Sequence, residues 1–212
     1  MTKVIGLTGG IASGKSTVTN FLIEEGYEII DADKVVARLQ AKDGILSQAI
    51  RRHFSDEFFD ACGNLDRKKL GQLIFSDPEK RSELANLQNE IIRQELAKER
   101  ELLLEKDKMQ GLKDHTFFMD IPLLIEEKYD YFDEIWLISL SKNEQLKRLM
   151  LRNDLTEEEA LNRINSQMSL SDKKKYADEI IDNDTSLSQL ENQVRKLLTK
   201  IQEGNDLNES QN

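Results

Sequence analysis

The chain has 212 residues, 38% of them hydrophobic and 33% charged, with a net charge of −10. That is apolar material for one sizeable core, and a surface too acidic for general binding to nucleic acid or an anionic membrane. No apolar run reaches the roughly 18 residues a membrane span needs, no signal peptide precedes Val4-Ile5-Gly6-Leu7, and Cys62 is the single cysteine, which fits a reducing cytoplasm.

Lys3–Thr8 reads as a short apolar strand, and the glycine-rich stretch from Gly9 to Gly14 ends it. From Lys15 to Glu25, Val18, Phe21 and Leu22 fall at helical spacing, with Gly26 as the expected cap. Tyr27–Ile30 is a second strand, closing at Asp31-Ala32-Asp33. Residues 34–110 are almost wholly helical in pattern: Leu84, Leu87 and Ile91, then Ile92, Leu96 and Leu103, step by threes and fours, and Ser76-Asp77-Pro78-Glu79 is a helix start.

Thr116–Asp120 has the pattern of a buried strand ending in a carboxylate, and Glu134–Leu140 is a fourth strand. Ser141–Glu144 and Thr156–Glu159 are capping boxes that open two helices. A short fifth strand is expected at Glu179–Ile181. Leu187, Leu190, Val194, Leu197 and Ile201 then line one face of a last helix, and the polar residues 204–212 are expected to be a disordered tail. Strands alternating with helices predict an α/β fold with a five-stranded, mainly parallel open sheet, whose ligands sit at the carboxyl ends of the strands.

Gly9-Gly10-Ile11-Ala12-Ser13-Gly14-Lys15-Ser16 fits the phosphate-loop pattern in full and has the required strand before it and helix after it. Glycines let backbone N–H groups turn toward phosphate oxygens, and the helix start adds its own unpaired amides, continuing to Thr17. This supplies a local positive site that a net-charge count does not see. Lys15 is expected to bridge the β- and γ-phosphates and Ser16 to place its hydroxyl on Mg²⁺, so ATP and Mg²⁺ are the expected nucleotide and metal. A ligand-free turn would need neither the lysine nor the hydroxyl.

Three weaker signals accompany the loop. One carboxylate of Asp31-Ala32-Asp33 could take a proton from an attacking hydroxyl or orient Mg²⁺ through water; equally, it could cap the next helix. Asp120 resembles a second Mg²⁺ carboxylate, or is a loop acceptor. Arg148 and Arg152 are four residues apart on one helical face, with Arg163 beyond them, suited either to stabilising a transferred phosphoryl group or to a solvated face with Glu partners. Lys173-Lys174-Lys175 reads as solvated, the segment around residues 145–172 shows no core stripe of its own, His53 and His115 show no partner motif, and Cys62 reads as structural.

With these residues in hand, the chain resembles the dephospho-coenzyme A kinase family from about residue 3 to residue 198. The resemblance rests on IGLTGGIASGKST (5–17), DADKVVAR (31–38), FDACGNLDRKKLGQLIF (59–75), DIPLLIE (120–126), QLKRLMLRNDLTEEEA (145–160), RINSQ (163–167) and ADEIIDND (177–184). It implies ATP-dependent phosphorylation of the ribose 3′-hydroxyl of dephospho-coenzyme A, with Asp33 as the proposed base and Arg152 as a lid arginine. It also implies a single kinase domain over 1–203: a core (1–33, 116–140, 173–203), a helical substrate-binding segment (34–115) and a small lid (141–172). One departure is clear: where the family usually has His-Pro, this chain has Asn89-Glu90, while Arg93 just after is retained.

A kinase for another small hydroxyl compound, such as a nucleoside or nucleotide, is the alternative within enzymes. A GTPase-type switch would carry an N/T-K-x-D motif, and the sequence has none. No obligatory protein partner is indicated; the expected partner is the small-molecule acceptor.

Overall fold

A computed structural model describes residues 2–112 and 115–209. Strand β1 (Lys3–Gly9) is the middle of a five-stranded sheet with β2 (Glu28–Asp31), β3 (Thr116–Asp120), β4 (Glu134–Ser139) and β5 (Glu179–Asp182), in the order β2-β3-β1-β4-β5. β1 pairs in parallel with β3, where Leu7 faces Asp120, and with β4; β4 pairs in parallel with β5. Strands are added on one side of β1 up to β3 and on the other side afterwards. The carboxyl end of β1 is therefore where the order changes direction, and such points are where open parallel sheets bind ligands.

The period-two alternation of the strands decides which side chains meet. Ile5 and Leu7 of β1, Phe118 of β3 and Trp136 and Ile138 of β4 share one buried cluster. Onto it pack Val18, Phe21 and Leu22 of α1 (Lys15–Glu24) and Leu190, Val194, Leu198 and Ile201 of α9 (Leu187–Glu209). Tyr27, Phe118 and Trp136 stack edge to face, each neighbouring pair of centroids 5.3 Å apart. Gly6 faces Leu124 and Phe132: a Cβ there would lie 2.5 Å from Leu124 and 3.1 Å from Phe132, so that position has no room for a side chain. Gly26, at φ 90°, closes α1 with its N–H on Ile23 as expected.

The chain divides into two compact units, Met1–Ile30 with Asp107–Asn212, and Asp31–Lys106. The second holds α2 (Ala32–Leu39), α3 (Ile45–Phe54), a 3₁₀ turn (Asp56–Phe58), α4 (Arg67–Ser76) and all but the end of α5 (Pro78–Gln110). Its buried side chains include Val35, Leu39, Leu46, Ile50, Phe54, Phe58 and Leu70. Asp77 caps α5, accepting from Glu79 N at 2.9 Å and Lys80 N at 3.0 Å, with Pro78 in the first turn, where its missing N–H costs nothing. α2 and α5 are tied by Arg38, which bonds Glu95 at 3.1 Å and also Glu99.

The remaining helices are α6 (Lys142–Asn153), α7 (Glu157–Asn165) and α8 (Leu170–Lys173). Thr156 and Glu159 form the complete capping box of α7. At α6 only half of the expected box forms: Ser141 Oγ accepts from Glu144 N, but the Glu144 carboxylate turns to Arg148. The polar tail expected from residue 204 is helical as far as Glu209, and residues 210–212 lie outside the described residues. Among the described residues no helix is long and apolar enough to cross a membrane.

Candidate active site

The loop from Gly9 to Gly14 runs from the end of β1 into α1, and its glycines are demanded by contact and conformation. A Cβ on Gly9 would collide with Ser13 Oγ, one on Gly10 would lie 2.7 Å from Gln145 Nε2, and one on Gly14 would collide with Asn183 Nδ2. Gly14, at φ 84°, is the N-cap of α1 in the left-handed region. It has no side chain to cap the helix, and the first turn carries no acidic residue. The N–H groups of Lys15 and of the exposed Ser16 are thus left to an external anion, while that of the exposed Thr17 donates to Gly14 O at 2.9 Å.

Lys15 and Asp120 form an ion pair across the ends of β1 and β3. Asp120 is buried, and its other oxygen accepts from Thr19 Oγ1 at 2.8 Å. A buried carboxylate with an ammonium and a hydroxyl on it is well satisfied, and it holds the Lys15 side chain at the loop. Asp120 is thus an acceptor at the strand end, one of the two readings open for it from sequence. Hydroxyl and carboxylate oxygens, as offered by Ser16 and Asp120, are also the donors a Mg²⁺ ion takes, so the residue types fit the metal.

A second set of side chains grips the backbone of the loop, and sequence reasoning did not single it out. Gln145 Nε2 donates to the Ile11 carbonyl at 2.8 Å, while Gln167 Oε1 accepts from the Ile11 N–H at 3.0 Å. Asn183 Nδ2 donates to Ser13 O at 2.7 Å. Lys173 Nζ reaches Gly9 O at 3.2 Å. Lys173 is therefore not solvated, as its place in a lysine triplet suggests, but fully buried; Lys174 and Lys175 are exposed. The hint in the sequence was that Gln145, Gln167 and Asn183 fall in segments that carry the family resemblance; Lys173 lies between two of them.

The segment from α6 to α7 also has a small core, contrary to expectation. Leu149, Ala160 and Ile164 are buried together, and Ile11 and Ala12 of the loop pack against them with Leu146, Met150 and Leu155. The stripe escapes notice because Leu149 and Ala160 sit on different helices, and alanine gives little periodic signal.

The arginines separate. Arg148 bonds Glu144 at 2.9 Å and the Asn183 carbonyl at 2.9 Å, so it supports the residue that holds Ser13. Arg152 is exposed, its Nε on Asn153 Oδ1 at 3.0 Å, and Arg163 is exposed on α7. Asp31 caps α2, accepting from Lys34 N at 3.1 Å; Asp33 is exposed in the first turn of α2, two residues beyond the end of β2. α5 passes through Asn89-Glu90 without a break, and Glu90 accepts from Gln94 at 3.2 Å.

His115, which shows no partner motif in the sequence, has specific partners. His115 Nδ1 meets Asp107 Oδ2 at 2.8 Å, and Thr2 Oγ1 donates to the same oxygen at 3.0 Å. Together with Glu28 they form a polar cluster at the amino ends of β1, β2 and β3, the end of the sheet away from the phosphate loop. Cys62, read as structural, is exposed; Asp60 organises its turn by accepting from the backbone N–H and side-chain amide of Asn64 and from the N–H of Cys62, and these bonds, those of Asn64 foremost, hold the Asp60 carboxyl below the usual aspartate range.

Comparison with known proteins decides the family. The family model described as dephospho-CoA kinase matches residues 3–189. A dephospho-CoA kinase of Lactococcus lactis is 52% identical, across 94% of this chain and 99% of that protein. One from Streptococcus agalactiae is also 52% identical, across 95% of this chain and all of that protein. The chain belongs to the dephospho-CoA kinase family. The fold agrees: the structure of the Campylobacter jejuni dephospho-CoA kinase superposes with a TM-score of 0.70 at 28% identity, covering 97% of this chain and all of that one. A Thermus thermophilus protein superposes at 0.71 with 33% identity, covering 93% of this chain and 97% of that one.

Proposed function

We infer that this chain is a dephospho-CoA kinase of the cytoplasm, moving the γ-phosphoryl group of ATP to the ribose 3′-hydroxyl of dephospho-coenzyme A and releasing coenzyme A and ADP. The observation that carries the reading is a complete phosphate loop whose lysine sits on a buried strand-end carboxylate, in a chain matching this family over residues 3–189. The acceptor hydroxyl oxygen forms the new bond to phosphorus, the bond to the β–γ bridging oxygen breaks, and its electron pair leaves on ADP.

Each residue has one task in that transfer. The backbone of Gly9, Gly10, Ile11, Ala12, Ser13 and Gly14, with the first turn of α1 through Thr17, holds the phosphates. Lys15 stabilises charge on the transferred group, and the Ser16 hydroxyl is the metal ligand. A Mg²⁺ ion held there, with Ser16 as ligand, would supply neutralisation of phosphate charge. Asp33 takes the proton of the acceptor hydroxyl, and Arg152, on the exposed side of α6, stabilises the equatorial oxygens when the segment 141–172 closes. The helical segment 34–115 supplies the acceptor site.

The test is ADP release from Mg²⁺–ATP against an acceptor panel. Dephospho-coenzyme A should give turnover well above nucleosides and nucleotides; equal or greater turnover with another hydroxyl compound would overturn the assignment.

A further inference from the structure

Lys173 is the most deeply buried charged side chain among the described residues, at 0% exposure, and no step above uses it. Burying an ammonium is costly unless its donors are met. Here the ammonium is ion-paired with Glu126 Oε1 at 2.8 Å and donates to Gly9 O at 3.2 Å and Pro122 O at 3.4 Å. Two of its hydrogen bonds thus go to backbone carbonyls, and the charge is matched by one carboxylate, neither of whose oxygens is itself in hydrogen-bonding geometry.

The acceptors lie where the phosphate site begins. Gly9 ends β1 and opens the loop; Pro122 follows β3 two residues after Asp120, the partner of Lys15. The Pro122 carbonyl also accepts from Thr8 Oγ1 at 3.0 Å, and Ile121 N donates to Leu7 O at 3.0 Å. Past the last pair of the β1–β3 ladder, then, the two strands stay joined by this backbone bond and by side chains, with Lys173 bridging the Gly9 and Pro122 carbonyls. A peptide unit is planar and trans, so a carbonyl of Gly9 held on Lys173 sends the Gly10 N–H the opposite way and fixes the first plane of the loop. Because Glu126 neutralises it, the ammonium acts through the backbone rather than as a free charge on a ligand.

We propose that Lys173, set by Glu126, is a positioning residue that holds the phosphate loop in its anion-binding form before nucleotide arrives. The proposal rests on the reading of that loop as a nucleotide site. It predicts a defect in nucleotide binding that leaves acceptor binding alone.

The test compares Lys173→Met, Lys173→Met/Glu126→Gln and Lys173→Arg with the unaltered chain. The double variant removes both charges, so it separates loss of positioning from the burden of an unpaired buried carboxylate. Mg²⁺–ADP binding is read by calorimetry, KM for ATP and for dephospho-coenzyme A by steady-state kinetics, and the loop by hydrogen exchange of residues 9–14. Both Met variants should bind ADP at least about ten-fold more weakly, with faster exchange in residues 9–14, unchanged exchange in β4 and an unchanged KM for the acceptor; arginine should restore part of the binding. Wild-type ADP affinity and loop exchange in the double variant would overturn the proposal. Should neither Met variant fold, Glu126→Gln decides: its loop should exchange faster than wild type, and unchanged exchange would refute the role. If the unaltered chain itself binds no ADP, the nucleotide reading fails, while loop exchange still judges the hold of Lys173.

Discussion

Asp120 binds Lys15 and Thr19 together: the Lys15 ammonium is on one carboxylate oxygen, and Thr19 Oγ1 is 2.8 Å from the other. Both partners come from α1, so one buried carboxylate on β3 fixes the direction in which the loop lysine can reach. Lys15→Ala takes the ammonium away but leaves Thr19 on Asp120. It should fold with an unchanged far-ultraviolet spectrum and lose about 10²–10³ in kcat, the usual cost of removing one electrostatic stabiliser. Turnover near wild type in the folded variant would remove Lys15 from the chemistry.

Asp33→Asn separates base from metal partner. The amide keeps the size of the side chain and cannot accept a proton, so kcat should fall strongly while ATP affinity stays close to wild type. Steady-state kinetics with Mg²⁺ titration reads both. A loss confined to ATP or Mg²⁺ binding would reassign Asp33 to the metal.

Arg148 and Arg152 lie on one face of α6 but should fail in different ways. Arg148→Ala cuts the bond to the Asn183 carbonyl, and Asn183 holds Ser13, so the expected defect is a raised KM for ATP. Arg152→Ala touches no part of the loop's support, and its effect should fall on kcat with little change in KM. A matching pair of kinetic profiles would mean that both arginines act through structure alone.

The elements were largely legible in the sequence because their signals are local. The apolar run of β1, the glycines around Ser13, the Thr156–Glu159 box and Pro78 after Asp77 each act within a few residues. The support of the loop was not legible, because it depends on contacts across the chain: Gln167 meets a residue 156 positions away, Lys173 one 164 away and Asn183 one 170 away. A lysine in the run Lys173-Lys174-Lys175 looks like its neighbours until the fold buries it. Asp31 shows the reverse case, where the local reading as a helix cap was one of two open and is the bond the structure contains.

Acid stability offers a check on the sheet itself. Burial pushes the Glu134 carboxyl up, but hydrogen bonds from Lys3 at 2.6 Å and Trp136 Nε1 at 3.0 Å outweigh it and leave the group below the ordinary glutamate range. A carboxylate with a depressed pKa in the folded state stabilises the fold above its unfolded value, and that contribution disappears as the pH falls through the folded one. Urea midpoints measured from neutral pH into the acid range should therefore fall less steeply for Glu134→Gln than for the unaltered chain. Parallel curves would show that the ion pair contributes nothing.

The central claim is the transfer of one phosphoryl group to one hydroxyl, and the label in the product tests it most directly. Incubated with dephospho-coenzyme A, Mg²⁺ and ATP labelled at the γ-phosphorus, the chain should yield coenzyme A carrying the label, and a 3′-nucleotidase should release it. Label found only in inorganic phosphate, or in a product that the 3′-nucleotidase leaves intact, would contradict the account.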